Sequence, residues 1–260
     1  MLRPFTSPGR KSLSLFVTAG FPAAESTVPL VLELANAGAD VIELGIPFSD
    51  PIADGPTIQH SSEAALRNGT TLAGALSMAA AIRKKSDVRL VMMGYANPIY
   101  SYGLERFLAA SSDAGVDGVI IADLPLEESG EYRSRAEKLS LSTIMLAAPT
   151  TPIGRLTSLD EASSGFLYCI SVTGVTGVRS EATRGAVAFL ERARPIVKKN
   201  PLFAGFGIAG PEDASVIGQH ADGVIIGSAL IKLLNPETSR SSFQEAIRFT
   251  QSIRRALDNH

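Results

Sequence analysis

Cysteine and histidine are scarce in this chain, and tryptophan is absent. A single cysteine, Cys169, excludes an internal disulfide framework. It lies inside the apolar run 166–170, so we predict an inert thiol in the core. The three histidines, His60, His220 and His260, are far apart in the sequence, so they form no metal-ligand cluster of recognisable spacing.

Long hydrophobic runs and a large net charge are missing as well. No stretch approaches the roughly 18 uninterrupted apolar residues of a membrane span, and no apolar segment of signal-peptide length precedes the first predicted strand. The formal net charge of −2 provides no general attraction to nucleic acid or to an anionic membrane. We therefore expect a cytoplasmic protein whose partners are small molecules or other proteins.

The chain does contain a regular alternation of short apolar runs and longer segments of helical character. Strict alternation of strand and helix predicts a parallel sheet. The length of 260 residues suits a single barrel, so we predict one α/β domain over residues 1–260 with a (β/α)8 TIM-barrel fold. The predicted strands are 13–18, 41–46, 89–94, 118–122, 143–147, 166–171, 202–206 and 223–226.

The predicted helices lie between these strands, and a degenerate repeat supports the barrel. At 37–43, 114–120 and 220–226 a small residue and an aspartate precede a strand, as at one recurring helix-to-strand junction. The main alternative is a doubly wound open sheet, but segment 18–22 lacks the glycine fingerprint that would follow its first strand. The predicted helices are 27–37, 61–85, 103–114, 127–139, 155–163, 186–199, 211–219 and 241–257, with a further helix beginning at Ser228.

Two carboxylates occupy unusual settings in the stretch 41–56. Both faces of its strand are apolar apart from Glu43, so this side chain has no evident route to water. A buried carboxyl either pairs with a cation or keeps its proton, and in the second case its raised pKa suits acid and base chemistry near neutrality. Asp54 lies in the following loop, which brings it toward the same cleft. The alternative is a structural ion pair for Glu43 and simple turn formation by Asp50 and Asp54.

Glycine-rich segments follow the last three predicted strands. In a barrel the active site lies at the carboxyl ends of the strands, and phosphate commonly binds to the loops after strands seven and eight. Segments 204–213 and 225–230 hold glycines at those two places, and 171–180 has the composition of a mobile loop. We therefore predict a phosphate ligand. The alternative is that these glycines serve only tight turns and close helix packing.

These motifs together resemble the tryptophan synthase alpha subunit family over essentially the whole chain. The acidic stretch is highly specific, whereas the glycine segments are shared with many barrels. The residues that carry the resemblance are Phe-Val-Thr-Ala-Gly at 16–20, Glu-Leu-Gly-Ile-Pro-Phe-Ser-Asp-Pro-Ile-Ala-Asp-Gly-Pro at 43–56, Tyr-Ala-Asn-Pro at 95–98, Ala-Asp-Leu-Pro at 122–125, Gly-Val-Thr-Gly at 174–177, Gly-Phe-Gly-Ile at 205–208 and Gly-Ser-Ala at 227–229.

The resemblance implies a lyase of tryptophan biosynthesis. Such a barrel cleaves indole-3-glycerol phosphate to indole and glyceraldehyde 3-phosphate by a retro-aldol reaction, with no cofactor or metal of its own. The expected partner is a beta subunit, in an alpha2-beta2 heterotetramer. Its pyridoxal phosphate site condenses the indole with serine.

The resemblance also implies roles for individual residues. Glu43 matches the proton-transferring acid and base, and Asp54 matches the carboxylate that stabilises charge on the indole nitrogen. Residues that match the substrate pocket are Phe16, Tyr95, Ile120, Tyr168, Thr176, Phe206 and Ile225, those that match phosphate contacts are Gly177, Gly207, Gly227 and Ser228, and those that match positions near the beta subunit are Asp50, Pro51 and Asn97.

Small departures and two rival functions accompany this resemblance. The N-terminal segment contains Pro4 and Pro8, which argues against the leading helix of many family members, and Phe21 stands where an aspartate is frequent. The first rival is another phosphate-handling barrel enzyme. Such an enzyme would normally carry a catalytic lysine or cysteine in a strand. A regulatory subunit with weak catalysis is the second rival, and the presence of both Glu43 and Asp54 argues against it.

Overall fold

A parallel β-sheet that nearly closes on itself forms the centre of the protein. The computed structural model describes residues 2–170, 179–205, 207–235 and 243–259. Within these ranges nine strands pair in the order β5-β4-β3-β2-β1-β9-β8-β7-β6, every neighbouring pair parallel. They are β1 Ser12–Thr18, β2 Val41–Gly45, β3 Arg89–Gly94, β4 Gly118–Ile121, β5 Ser142–Thr143, β6 Met145–Ala147, β7 Leu167–Ile170, β8 Leu202–Gly205 and β9 Gly223–Ile226.

The two end strands of this order, β5 and β6, are halves of one barrel strand separated by Ile144. Strand β5 pairs with β4, and β6 pairs with β7. The Ile144 amide between them still donates to the carbonyl oxygen of Val119 at 3.2 Å. The chain itself therefore joins the ends of the sheet. The predicted (β/α)8 TIM barrel is confirmed, and the open doubly wound sheet is wrong.

Helices follow the strands and cover the outside of the barrel, as the apolar spacing of these segments predicts. In the described part of the chain no helix is long and apolar enough to cross a bilayer. The helices are α1 Thr27–Asn36, α2 Pro56–Arg67, α3 Leu72–Arg83, α4 Ala96–Tyr102, α5 Leu104–Asp113, α6 Gly130–Lys138, α7 Ile153–Ala162, α8 Arg179–Ala193, α9 Pro211–His220, α10 Ser228–Leu234 and α11 Phe243–Asp258.

Three helical predictions differ from the structure. The single helix predicted over 61–85 is two helices, because Gly69 adopts a positive φ of 77° and Thr71 caps α3 by accepting from the Gly74 amide at 3.1 Å. Helix α4 was not predicted, since its short segment has no clear apolar period. Helix α8 begins at Arg179 and ends at Ala193, whereas the prediction ran from 186 to 199.

The N-terminal segment closes the end of the barrel at which the strands begin, and it does not form a leading helix. Residues 2–11 contain no helix. The buried Phe5 ring packs edge-on against Phe166 at 5.4 Å between centroids, and Phe166 stacks on Phe203 at 4.3 Å. The Ser12 hydroxyl donates to the Phe5 carbonyl oxygen at 2.8 Å and fixes the segment to β1. The rings of Phe5, Phe166 and Phe203 therefore fill the end of the barrel opposite to the predicted active site.

The alternation along β2 decides where Glu43 points. Val41 packs inside the barrel, whereas Ile42 and Leu44 pack in the larger layer beneath the helices. Because side chains on a strand alternate between faces, Glu43 shares the interior face with Val41. Cys169, on β7, packs in the same outer layer as Ile42 and Leu44 and is fully buried. Burial raises the pKa of its thiol to about 12. The prediction of an inert core thiol agrees with this environment.

Candidate active site

Glu43 is fully buried inside the barrel and is held by a hydrogen bond. Ser14, on the neighbouring strand β1, donates its hydroxyl to Oε1 at 2.7 Å. Among the described residues, Oε2 has no hydrogen-bond partner. Burial raises the pKa of Glu43 to about 7, and the hydrogen bond from Ser14 opposes the rise. Glu43 can therefore both release and accept a proton near neutral pH.

Within the described ranges, no cation stabilises the charged form of Glu43. Its side chain has no ion pair there, and its pKa reflects only burial and the Ser14 hydroxyl. The structural ion pair considered from the sequence is therefore not formed in that part of the chain. A carboxyl without a counter-charge, held out of water, is costly to ionise and is a frequent mark of a functional site.

Asp54 is held by the hydroxyl of a tyrosine from another loop. Tyr95, at the end of β3, donates its hydroxyl to Asp54 Oδ2 at 2.9 Å and accepts the Ala53 amide at 3.1 Å. The Phe48 ring packs against Tyr95 with centroids 5.4 Å apart. Burial raises the pKa of Asp54, while the hydrogen bond from Tyr95 lowers it. Tyr95 thus fixes both the loop and its carboxylate.

A cavity of about 320 Å³ opens above these groups at the carboxyl ends of the strands. Tyr168, on β7, interacts electrostatically with both acids. Burial raises the pKa of its phenol, and the negative charges of Glu43 and Asp54 raise it further. Glu43 itself lies beneath the cavity and is not part of its lining. The lining residues are Phe16, Asp54, Gly55, Pro56, Thr57, Ile58, Met93, Tyr168, Gly205, Gly207, Ile208, Ile225, Gly227, Ser228 and Lys232.

Residues at and after the ends of β8 and β9 contribute polar groups to the lining. Gly207 adopts a left-handed φ of 60°, which favours glycine, and Gly227 directly precedes α10. Ser228 begins that helix, as predicted, and Lys232 lies one turn further along it. The residues that line this side of the cavity thus carry amides, a hydroxyl and an ammonium group, a set of donors that suits an anionic group.

The sequence and the fold have counterparts among known proteins. The family model described as tryptophan synthase alpha chain matches residues 3–258. The chain belongs to the tryptophan synthase alpha chain family. Its relatives include the tryptophan synthase alpha chain of Geobacter sulfurreducens, 45% identical over 250 residues, which cover 96% of this chain and 94% of that protein. The corresponding protein of Geotalea uraniireducens is 48% identical over 223 residues, 86% of this chain and 83% of that protein.

Solved structures of the family share the same fold. Tryptophan synthase subunit alpha from Legionella pneumophila superposes with a TM-score of 0.87 at 37% identity, covering 96% of this chain and 94% of that chain. A chain from a structure describing mutual activation of the tryptophan synthase a2b2 complex of Pyrococcus furiosus gives a TM-score of 0.85 at 37% identity, with 97% and 99% covered. Both likenesses extend over nearly the whole barrel.

The structure places seven of the thirteen catalytic and substrate-binding residues predicted from the sequence in the lining of this cavity. Tyr95 reaches the cavity through Asp54, and Ile120, which pairs with the cavity-lining Met93, is buried in the barrel interior outside the lining. Asp50 and Asn97 are exposed and Pro51 is buried. Thr176, Gly177 and Phe206 lie outside the described residues. Those that line the cavity are Phe16, Asp54, Tyr168, Gly207, Ile225, Gly227 and Ser228.

Ser14, Lys232 and Met93 are among the residues of the site that were not singled out from the sequence. Ser14 lies two positions before Phe16 on the same face of β1, so the strand period signals it only when the pairing with β2 is known. Lys232 follows Ser228 by four positions, the spacing that places two side chains on one face of a helix. Met93 lies in β3 and lines the cavity, which its apolar run does not reveal.

Burial of Glu43 without a counter-charge is expected to make the free energy of unfolding depend on pH, with the lower values above neutral pH. The pKa of Glu43 in the folded state is about 7, above the ordinary value of 4.5, so the folded state retains a proton that the unfolded state loses between these pH values. Stability therefore falls as pH rises from about 4.5 to 7. At pH 8 we expect the free energy of unfolding of Glu43→Gln to exceed that of the wild type by about 3 kcal/mol, so the variant is the more stable protein.

Urea denaturation of both proteins at several pH values measures this difference. The gain should vanish near pH 4, where the wild-type carboxyl is protonated in both states. The exposed Glu33, on the outer face of α1, provides the control, since Glu33→Gln removes the same charge from the surface. An equal gain in Glu33→Gln, or a Glu43→Gln gain that is constant with pH, would contradict the argument.

Proposed function

We propose that this chain acts as the alpha subunit of tryptophan synthase and cleaves indole-3-glycerol phosphate to indole and glyceraldehyde 3-phosphate. The observation that carries the proposal is the buried Glu43 carboxyl, whose pKa of about 7 leaves either protonation state accessible beneath the cavity. The reaction needs one group that gives a proton to carbon and takes one from oxygen. Family membership supports this reaction, and the geometry supports the roles of the residues.

Protonation of the indole ring is the first step that the site supports. Neutral Glu43 transfers its proton to C3 of the indole, and the ring nitrogen then shares the positive charge. Ionised Asp54 accepts a hydrogen bond from the N–H group and stabilises that charge in a partly buried site, where such an interaction is stronger than in water. Tyr95 holds the carboxylate in place for this contact.

Carbon–carbon cleavage is the second step. Glu43, now ionised, accepts the proton of the hydroxyl on the carbon attached to C3, and that carbon becomes the aldehyde of glyceraldehyde 3-phosphate. The electron pair of the broken bond returns to the ring and neutralises it as indole. Glu43 ends protonated, as it began, so the proton count closes within one turnover.

The glycines and Ser228 are proposed to bind the phosphate. The backbone of the exposed Gly207 and of the partly buried Gly227 offers amide donors, and the Lys232 ammonium adds a positive charge that makes no ion pair among the described residues. This interaction is far from the breaking bond and acts equally on substrate and transition state. It should therefore affect binding more than turnover.

Lys232→Ala is expected to raise KM for indole-3-glycerol phosphate roughly tenfold and to change kcat by less than about twofold, because uniform binding is lost. Steady-state indole release measures both constants. Lys85→Ala removes an exposed lysine two positions after the end of α3 and serves as the control. A tenfold loss of kcat with unchanged KM would show that Lys232 acts on the chemical step and not on the phosphate.

A beta subunit is the proposed partner, in an alpha2-beta2 assembly with pyridoxal phosphate in the partner and no cofactor in this chain. The related structure from Pyrococcus furiosus concerns such an a2b2 complex. Asp50 and Asn97 are exposed on segments next to the Asp54 loop and Tyr95, so a partner bound there would contact the elements that hold the site. The cytoplasmic location and the single domain over 1–260 stay part of this proposal.

Release of indole from indole-3-glycerol phosphate by the purified chain, with and without a beta subunit, tests the proposed function. We expect equimolar indole and glyceraldehyde 3-phosphate, and faster release in the complex. A chain that accelerates the beta reaction but releases no indole would be the regulatory subunit of weak catalysis. A chain that converts another phosphorylated substrate and leaves this one intact would be a different barrel enzyme.

A further inference from the structure

We infer that Ser14 is the positioning residue of Glu43, holding one carboxylate oxygen so that the other is left for proton transfer. The inference deepens the proposed function and rests on it for the chemical role of Glu43. The contact between the two side chains does not depend on that function.

The register of the first two strands creates this contact. Phe16 pairs with Glu43 and Ser14 pairs with Val41, so Ser14 and Glu43 are diagonal neighbours on adjacent parallel strands. Both side chains are 0% exposed, and the Ser14 hydroxyl lies 2.7 Å from Oε1. The Ser14 hydroxyl is the one hydrogen-bond donor that the described residues supply to the Glu43 carboxyl.

A single neutral donor suits a carboxyl that must alternate between two protonation states. Burial alone favours the neutral acid, and a hydrogen bond donated to the carboxylate favours the ionised form. A cation or several donors would keep Glu43 ionised, whereas an apolar residue at position 14 would keep it protonated. The serine hydroxyl lies between these extremes, and its bond to Oε1 also fixes the orientation in which Oε2 is free.

Other groups around Glu43 do not replace this function. Among the described residues, the titratable neighbour that interacts with Glu43 is the Tyr168 phenol on β7, and Asp54, in the loop after β2, has Tyr95 as its hydrogen-bond partner. Tyr168 and Asp54 carry no positive charge and make no hydrogen bond with Glu43 among the described residues. The Ser14 hydroxyl is therefore the local group that favours the ionised form.

Replacement of Ser14 by alanine tests the inference directly. In the isolated chain, labelled with carbon-13 at the glutamate carboxyl carbons, Glu43 is identified by the signal missing in Glu43→Gln. We expect Ser14→Ala to raise the pKa of Glu43 by about one pH unit, because a donor to the charged form is lost. The alkaline limb of kcat/KM for indole release should move up by the same amount, since Glu43 enters the reaction protonated.

Ser12→Ala is the matched control. Ser12 lies on the same face of β1, is 2% exposed, and donates to the Phe5 carbonyl oxygen instead of to Glu43. The Ser12→Ala variant should lose stability in the same way as Ser14→Ala. It should leave the pKa of Glu43 and the pH profile of kcat/KM unchanged. Ser14→Cys, of similar size with a weaker donor, should move the pKa part of the way and substitutes for Ser14→Ala should that variant not fold.

The outcomes separate this inference from the proposed function. A Glu43 pKa that is the same in Ser14→Ala, Ser14→Cys and wild type overturns the inference, even where Glu43→Gln is inactive. An equal movement in Ser12→Ala also overturns it, because a general loosening of β1 would then be the cause. A raised pKa in Ser14→Ala, with indole release insensitive to Glu43→Gln, supports the contact and overturns the proposed function.

Discussion

Replacement of Glu43 by glutamine is expected to lower the rate of indole release roughly 10³- to 10⁴-fold, the upper part of the range for a general acid and base. Glutamine has the shape of the carboxylic acid and can still accept the Ser14 hydroxyl at its carbonyl oxygen. It cannot give a proton to indole C3 or accept one from the glycerol hydroxyl. Both proton transfers are therefore lost while the barrel interior keeps its volume.

Substrate affinity separates this result from misfolding. The proposed phosphate contacts and the apolar lining do not include Glu43, so the dissociation constant of indole-3-glycerol phosphate, measured by calorimetry, should change less than about threefold. Glu33→Gln on the outside of α1 should retain wild-type turnover. Turnover of Glu43→Gln within tenfold of wild type would remove Glu43 from the proton transfers and leave Tyr168 as the next candidate.

The barrel could be predicted from the sequence because its signals are local and repeat. Each of the eight barrel strands lies in a short apolar run that is followed by a segment of helical character, so the alternation is visible without any long-range contact. The break between α2 and α3 was missed although Asn68 and Gly69 mark it, because the apolar period continues across the turn. Helix α4 was missed because seven residues are too few to show a period.

The site could be predicted in part, for a related physical reason. Glu43 stands out because one acid interrupts an apolar strand, and Asp54 stands out because its loop is built from prolines and glycine. The contacts that tune them depend on strand register and loop docking, which connect distant parts of the sequence. Ser14 meets Glu43 across 29 positions, and Tyr95 meets Asp54 across 41. No local pattern contains either pairing.

Asp54→Asn is the second substitution with a large expected effect, a loss of roughly 10²- to 10³-fold in kcat for indole release. The asparagine carbonyl oxygen can accept the Tyr95 hydroxyl, so the loop stays docked. The negative charge that stabilises the cationic ring is removed, and loss of one preorganised electrostatic contact typically has this magnitude. Measured kcat should fall while KM changes little.

Tyr95→Phe provides the matched comparison, because it keeps the Asp54 charge and removes the hydroxyl that holds it. Burial raises the pKa of Asp54 and the Tyr95 hydroxyl lowers it, so the pKa should rise further in Tyr95→Phe. Asp54 must be ionised to act, so activity falls as pH drops through its pKa, and the acid limb of the profile should move to higher pH. Asp54→Asn should lose that limb. An acid limb retained in Asp54→Asn would assign it to another group and reduce Asp54 to a residue that shapes its loop.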